Sequence, residues 1–347
     1  MKYEIISHTF FLEGSEKQNM AKEKVYNKVF TEAKWLKVNK YNKKLLEDYC
    51  MQIKAEGKSL GTQKQYYNDA RIILIYILEE HNNKALYRLN RKSFRNLTLW
   101  MQERGMSPAR INRMLSTSRN LLNFGNDDDE FAEDFEDCKA NPNRIKGIQK
   151  EGVRNIVFLT DEEIHIIFNK LMERKLYSQA LLCGLMYDSA CRRNEAYQVK
   201  RDDISLDGTF TSKEVVGKRS KKFKLMYHDL TKKAFKALEE NRLVDNNEIW
   251  ITQLGELASY ETLYTWVISW RKILEEETGE YKEFNAHSFR HSSLETLSTG
   301  EHYVARKLNK KFTIQELKLL AHHESIETTD GYLRCKDEEM LLEAFGL

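Results

Sequence analysis

The sequence is poor in the residues that break chains. Only 2 of its 347 residues are proline, where ordinary usage gives roughly 17, and 15 are glycine. Long helices joined by short loops are the expected result. Cysteine is scarce too. The 5 cysteines (50, 138, 183, 191 and 335) are odd in number, form no Cys-x-x-Cys pair and keep no zinc spacing with histidine. That argues against a disulfide framework and against structural zinc. Long apolar runs are missing. Counting glycine, the longest is Ala180 to Tyr187, 8 residues, against the ~20 that a membrane helix needs. The opening MKYEIISHTFFLEGSEK has no long apolar stretch and no small-residue cleavage site. No signal peptide is read, and a cytoplasmic protein is expected. No Walker loop or Gly-x-Gly-x-x-Gly cradle is present, which argues against nucleotide-driven enzymes.

What is present suits two folded domains. Charged residues are 31% and apolar residues 41%, enough for real cores in a chain of this length. The net charge of +3 hides local blocks. Between Lys58 and Arg119, twelve Lys/Arg stand against four acids. From Asp127 to Asp137 there are eight acids and no Lys/Arg. From Lys213 to Lys224, six basic residues meet one acid. Basic blocks of this kind suit a polyanion, and nucleic acid is the commonest one in a cytoplasm. Solvated helix faces are the plainer alternative.

Residues 1–38 read as a lysine-bearing appendage, docked to the neighbouring domain by Trp35 and Leu36. Residues 39–140 read as a helical domain. Helices are expected at about Tyr41–Ala55, Thr62–Glu80, Arg91–Glu103 and from Pro108 onward. In the second, Tyr66, Ala70, Ile73 and Ile77 recur at helical spacing. Ser107 caps the fourth, with Pro108 in its first turn. That helix buries Ile111, Leu115, Ser118 and Leu122 and turns Arg110, Arg113 and Arg119 outward. A helical domain with one basic face suits a DNA clamp, with Lys64 and Arg71 as further contacts. Residues 141–157 read as an exposed linker.

The domain at 158–347 opens on Thr160 and Glu163 at capping-box spacing, followed by the stripe Ile164, Ile167, Phe168 and Leu171. An apolar helix at about Ser178–Ser189 is central. Phe210, Val215, Val216, Phe223, Leu225 and Tyr227 are strand-like, with Gly217 to Ser220 as the turn. Helices return at about Thr231–Asn241, Tyr260–Glu277, His287–Leu297, Ile314–Ala321 and Asp337–Ala344. The fold class is mainly α, with one small antiparallel sheet.

Six polar residues of this second half stand together as chemistry: Arg192, Lys218, His287, Arg290, His323 and Tyr332. Arginine forks match phosphate oxygens bidentately. Two of them can hold a phosphodiester and neutralise a pentacoordinate transition state. Histidine can donate to the same oxygens or move protons. Tyrosine is a covalent nucleophile once cations lower its phenol pKa from ~10. A lysine can protonate the departing sugar oxygen. The set fits transesterification of a nucleic-acid phosphodiester, with no metal and no other cofactor.

Taken in order, these residues resemble the tyrosine recombinases, the family of phage integrases and Xer-type resolvases. The motifs are Arg192-Arg193-Asn194-Glu195, Lys218 at the β-turn, His287-x-x-Arg290-His291, and His323 followed by Thr328, Thr329 and Tyr332. In the first half, Ser59, Thr62 and Tyr66 match the opening of the family's core-binding domain. Three features depart from the usual pattern. Ala190-Cys191 replaces Gly-Leu before the first arginine, His322 replaces the glycine before His323, and 300–312 is long and basic.

The resemblance implies a helical core-binding (SAM-like) domain joined to a catalytic domain. By it, Tyr332 attacks the phosphate, Arg192, Arg290 and His323 hold it, and Lys218 is the general acid. His287 assists proton transfer, with Glu195 and His291 ordering the site from behind. Arg219 and Lys221 join Lys64, Arg71, Arg110, Arg113 and Arg119 as DNA contacts. It also implies double-stranded DNA as partner and action on the nucleoid, within a mobile element. The C-terminal segment, with Met340, Leu341, Ala344 and Phe345 on one face, would exchange between protomers of a tetramer that is monomer or dimer when free. The rival readings are a recombinase-fold repressor or accessory factor, and a type IB topoisomerase.

Overall fold

Side-chain oxygens start most of the helices. Thr31, Asn39, Ser59, Asn90 and Ser107 each accept a backbone amide ahead of α1 (Glu32–Lys37), α2 (Lys40–Ala55), α3 (Leu60–Glu80), α4 (Arg91–Glu103) and α5 (Pro108–Asp127). Each such cap satisfies an otherwise orphaned donor and contributes ~1 kcal/mol. The computed structural model describes residues 29–149, 156–242, 244–323, 325 and 329. The chain forms two units, Met1–Gly152 and Val153–Leu347. Among the described residues no helix is long and apolar enough to cross a membrane.

In the first unit the four anticipated helices, α2 to α5, are present. The stripe Ile111, Leu115, Ser118 and Leu122 of α5 is fully buried. The second half of α3 departs from the one-stripe expectation. Ile72, Ile73, Leu74, Ile75, Tyr76 and Ile77 are all buried, because neighbouring segments surround this helix. Trp35 packs against this core, whereas Leu36 is 74% exposed, so only one of the two docks the N-terminal segment.

The acidic stretch folds back rather than leading away. Phe131 and Phe135, flanking and within α6 (Ala132–Glu136), are buried in the first core. Phe135 lies where a Cβ on Gly125 would sit, 2.4 Å from its ring. The stretch expected as a linker also starts inside this unit. Ile145 is buried, and Asn112 holds Ile148 by both its amide and its carbonyl, at 2.8 and 3.0 Å. Apolar residues spaced among the charges anchor it.

In the second unit Thr160 and Glu163 form the anticipated capping box of α7 (Asp161–Glu173). The central helix is α8 (Tyr177–Ser189), buried on nearly every side. It packs against α7, α10 (Asp229–Glu240) and α12 (Ala286–Thr299). Gly184 permits the close crossing, since a Cβ there would meet the backbone of Leu230 and Thr231 at 3.0 Å. α9 (Arg193–Tyr197) follows α8, and α11 (Tyr260–Thr278) precedes α12.

The sheet is β1 (Val215–Val216) antiparallel to β2 (Lys222–Phe223), with Val215 opposite Phe223. Phe210 and Met226 add an isolated bridge. The 300–312 segment is ordered by α13 (Tyr303–Leu308). The Tyr303 hydroxyl donates to Asp188 at 2.6 Å, and Arg306 pairs with Asp161. α14 (Ile314–Ala321) closes the described helices. Two short helices, α9 and α13, are too brief to leave a periodic signal. The helix anticipated at Asp337–Ala344 lies outside the described residues.

Candidate active site

Backbone turns deliver the polar residues to one place. α8 ends on Ala190, whose φ of +50° reverses the chain and sets Arg192 ahead of α9. α14 ends the same way on His322, φ +53°, which delivers His323. Both are left-handed positions, where glycine is the unstrained choice. The two glycine departures in the sequence therefore fall at positions where a side chain costs backbone strain. His322 recovers part of that cost by stacking on Phe223, ring centroids 3.8 Å apart. The same stack separates the two adjacent histidines: His322 faces β2 and His323 faces α12.

Arg290 lies one turn into α12 and is 1% exposed. Its Nη1 donates to the carbonyl of Ala190 at 2.6 Å, and its Nη2 to the carbonyl of Ala321 at 2.6 Å. Those two alanines share a small core with Leu294, Leu297, Ala305 and Leu317, so apolar packing fixes the acceptors that aim the guanidinium. Nη2 also donates to His323 Nε2 at 2.6 Å. A guanidinium can only donate. His323 therefore carries its proton on Nδ1, which lies 2.9 Å from Thr329 Oγ1.

Glu195 joins the two arginines. Its carboxylate accepts from Arg192 Nη1 at 2.8 Å and from the Arg192 amide at 2.7 Å, and it stands 3.9 Å from Arg290 Nη1. A buried carboxylate beside two guanidiniums offsets their mutual repulsion and holds both forks.

Histidines here are kept neutral. Burial, then the charges of Arg290 and Arg192, push His323 down to about 3. Desolvation by the atoms packed around its ring, then the charges of His291, Arg290 and Arg192, push His287 down to about 4. His287 sits at the rim in the first turn of α12, its amide held by Asn285 and its ring edge-on to His291 at 5.0 Å. His291 is buried against Phe158.

The β-turn stands beside this cluster. A Cβ on Gly217 would lie 3.3 Å from Glu195 Oε1 and 2.6 Å from the Phe223 ring. Gln198, just past α9, holds Val216 through both its amide and its carbonyl. Lys218 and Arg219 are exposed on the turn, and Lys221 Nζ reaches the carbonyl of His322 at 3.4 Å. Thus Arg192, Glu195, His287, Arg290, His291 and His323 come together, with the turn of Lys218 adjacent. Tyr332 and Thr328 lie outside the described residues. Gly217 was read from the sequence as the start of the turn, but its close approach to Glu195 was not. Gln198 was not singled out, and nothing local marked it.

The basic residues of the first unit divide. Lys64 is exposed. Arg71 is occupied, stacking on Phe30 at 3.7 Å and pairing with Glu32. Arg113 forks onto the buried Asp69 at 2.7 and 3.0 Å. Arg119 donates to the carbonyl of Ile145 at 2.8 Å, and Arg110 is half-buried.

A helical unit followed by a helical domain with a small sheet and two converging arginines defines the DNA-rearranging class to which phage integrases belong. The model of the phage integrase family matches residues 157–339. The chain belongs to that family. It is 23% identical over 299 residues to a tyrosine recombinase of Thermosipho africanus, spanning 85% of this chain and 95% of that one. It is 25% identical over 296 residues to tyrosine recombinase XerC of Treponema denticola, spanning 81% and 90%. Among solved structures, the Tn1549 transposon integrase in complex with transposon right end DNA aligns with TM-score 0.63 at 15% identity, over 87% of this chain and 99% of that one. A lambda integrase dimer bound to a COC′ core site aligns with TM-score 0.61 at 15% identity, over 83% and 94%. These likenesses establish the fold.

Proposed function

We propose that this chain is a site-specific DNA recombinase that cuts and rejoins duplex DNA through a 3′-phosphotyrosine. The observation that carries the reading is the convergence of Arg192 and Arg290 on Glu195 beside His323. Two guanidiniums at one point suit a single phosphate whose charge grows in the transition state. Tyr332 Oη forms a bond to phosphorus, and the bond from phosphorus to the 5′ oxygen breaks. Lys218 gives a proton to that oxygen, and the phenol proton passes to a base at the rim, the role assigned to His287. Its depressed pKa leaves the imidazole neutral and able to accept. Rejoining reverses these steps. The phosphoester exchange conserves the bond, so the cycle consumes no nucleotide.

The finer reading is a tetramer on two duplex sites, acting on nucleoid DNA for a mobile element. An apolar cavity of about 340 Å³, lined by Phe210, Leu297, Val304, Phe312 and Leu320, supports acceptance of a neighbour's C-terminal segment. The apolar positions 340, 341, 344 and 345 of that segment suit it.

The test uses duplexes selected by the protein from a random pool, then nicked beside the cut so that the small fragment diffuses away. A covalent adduct on a denaturing gel, absent in Tyr332→Phe, supports the reading. Retardation with no adduct assigns a repressor instead. Lys218→Ala should slow cleavage, and a substrate with a bridging 5′ sulfur, whose thiolate leaves unprotonated, should recover the rate. No recovery removes Lys218 as the acid.

A further inference from the structure

The first unit carries a cleft that the motifs did not indicate. Its volume is about 350 Å³. One wall is a stripe of α4, with Arg91, Arg95, Thr98, Leu99 and Gln102 at helical spacing. The other is the segment after α6, with Arg144, Lys146 and Ile148. Arg91, Arg95, Arg144 and Lys146 are exposed and make no ion pair with any described carboxylate, and no acid lines the cleft.

This contrasts with α5 and α3. Arg113, Arg119 and Arg71 are spent on Asp69, Ile145 and Glu32. Arg119 and Asn112 hold the backbone of Ile145 and Ile148, which fixes the second wall. Gly147 is required there, because a Cβ would lie 2.3 Å from Asn112 Oδ1. A segment pinned at Ile145 and Ile148 holds its two cations opposite Arg91 and Arg95 at low entropic cost.

We propose that this cleft grips the phosphate backbone of the duplex and is the main non-specific DNA contact of the first unit. The inference rests on the recombinase reading and names the surface that serves it. Four cations with no ion-pair partner among the described residues line one cleft and repel one another. Phosphates relieve that repulsion and release counterions. From Arg91 to Gln102 the stripe runs ~16 Å, the axial length of about five phosphates of one strand. Leu99, 52% exposed at the cleft, suits the apolar sugar edge between phosphates.

The experiment measures duplex affinity of the full chain by anisotropy across a salt series. Each phosphate contact contributes ~0.9 to the slope of log K against log salt. Arg91→Ala/Arg95→Ala should lower the slope by about 2 and weaken binding roughly tenfold or more on every sequence. Arg144→Ala/Lys146→Ala, on the opposite wall, is an independent variant with the same expected loss. Lys92→Ala, exposed on α4 but outside the cleft, should leave the slope as in wild type. If both double variants keep the wild-type slope, the proposal is overturned. It is equally overturned if they instead lose self-association, which would assign the cleft to the acidic 127–137 segment of a second copy. Adduct formation by the wild-type chain is scored separately. An enzyme that forms the adduct with a slope insensitive to the cleft defeats this inference and leaves the recombinase reading standing.

Discussion

Glu195 shows how much one buried carboxylate decides. It is 1% exposed and touches both arginines. Glu195→Gln keeps the shape and removes the charge, so the two forks repel and drift. Adduct formation should slow by ~10–100-fold, the usual cost of a lost orienting partner, while duplex affinity stays near wild type. Single-turnover gels with anisotropy check this; a matched loss of both would mean general misfolding. Histidine supplies a second prediction. His302, stacked on Tyr187 at 4.2 Å, is pushed down to about 3 by burial, as is His323. Between the ordinary value near 6.5 and about 3, the unfolded chain takes up protons that the folded chain refuses. Stability therefore falls as acid is added, by up to ~1.4 kcal/mol per pH unit for each of these two. Melting curves from pH 7.5 to 4.5 should show the fall, with a shallower slope in His302→Gln; an equal slope removes His302 from the account. Arg192, Arg290 and His323 were legible as residues because their order is informative. So was Glu195, but the acceptors that aim Arg290 were not: the carbonyls of Ala190 and Ala321 belong to backbone that any sequence carries.

Elements position these residues through close approaches that allow no extra atom. Gly217 lies against Phe223 and Glu195. Gly217→Ala should push the turn of Lys218 away from the arginines and slow cleavage about tenfold, and Phe223→Leu added to it should restore part of the rate. Rate measurements on the single and double variants decide this; simple additivity of the two losses would exclude a steric cause. Where α5 meets α6, Gly125→Ala meets Phe135 at 2.4 Å. Overpacking of this kind costs ~1–3 kcal/mol, and denaturant melts should record a loss of that size. The long helices were readable from spacing and caps because local rules dictate them. The fold of the 127–137 stretch was hidden by its charge, since eight acids outweigh two phenylalanines in composition although the two rings decide the packing.

At the scale of the whole molecule, the near-neutral total conceals a division of labour among cations. Some arginines hold the first unit together and others are left for a polyanion. The assembly proposal makes a further prediction. Sedimentation should find monomer or dimer for the free chain and four copies on paired duplex sites. Deletion of 337–347 should abolish the tetramer while leaving single-site binding. A tetramer that persists without the segment refutes exchange through it.

Composition and order alone determined the helical class and the small sheet, and they suggested the set of residues proposed for phosphoryl transfer. These follow from periodicity, caps and side-chain chemistry, which act over a few residues. Tertiary structure alone decided which carbonyls aim Arg290, which arginines are already occupied, and where the acidic stretch goes. Those outcomes depend on contacts between residues tens to a hundred positions apart, such as Arg290 with Ala190. No local pattern encodes such contacts, because each is won by packing and desolvation over the whole unit.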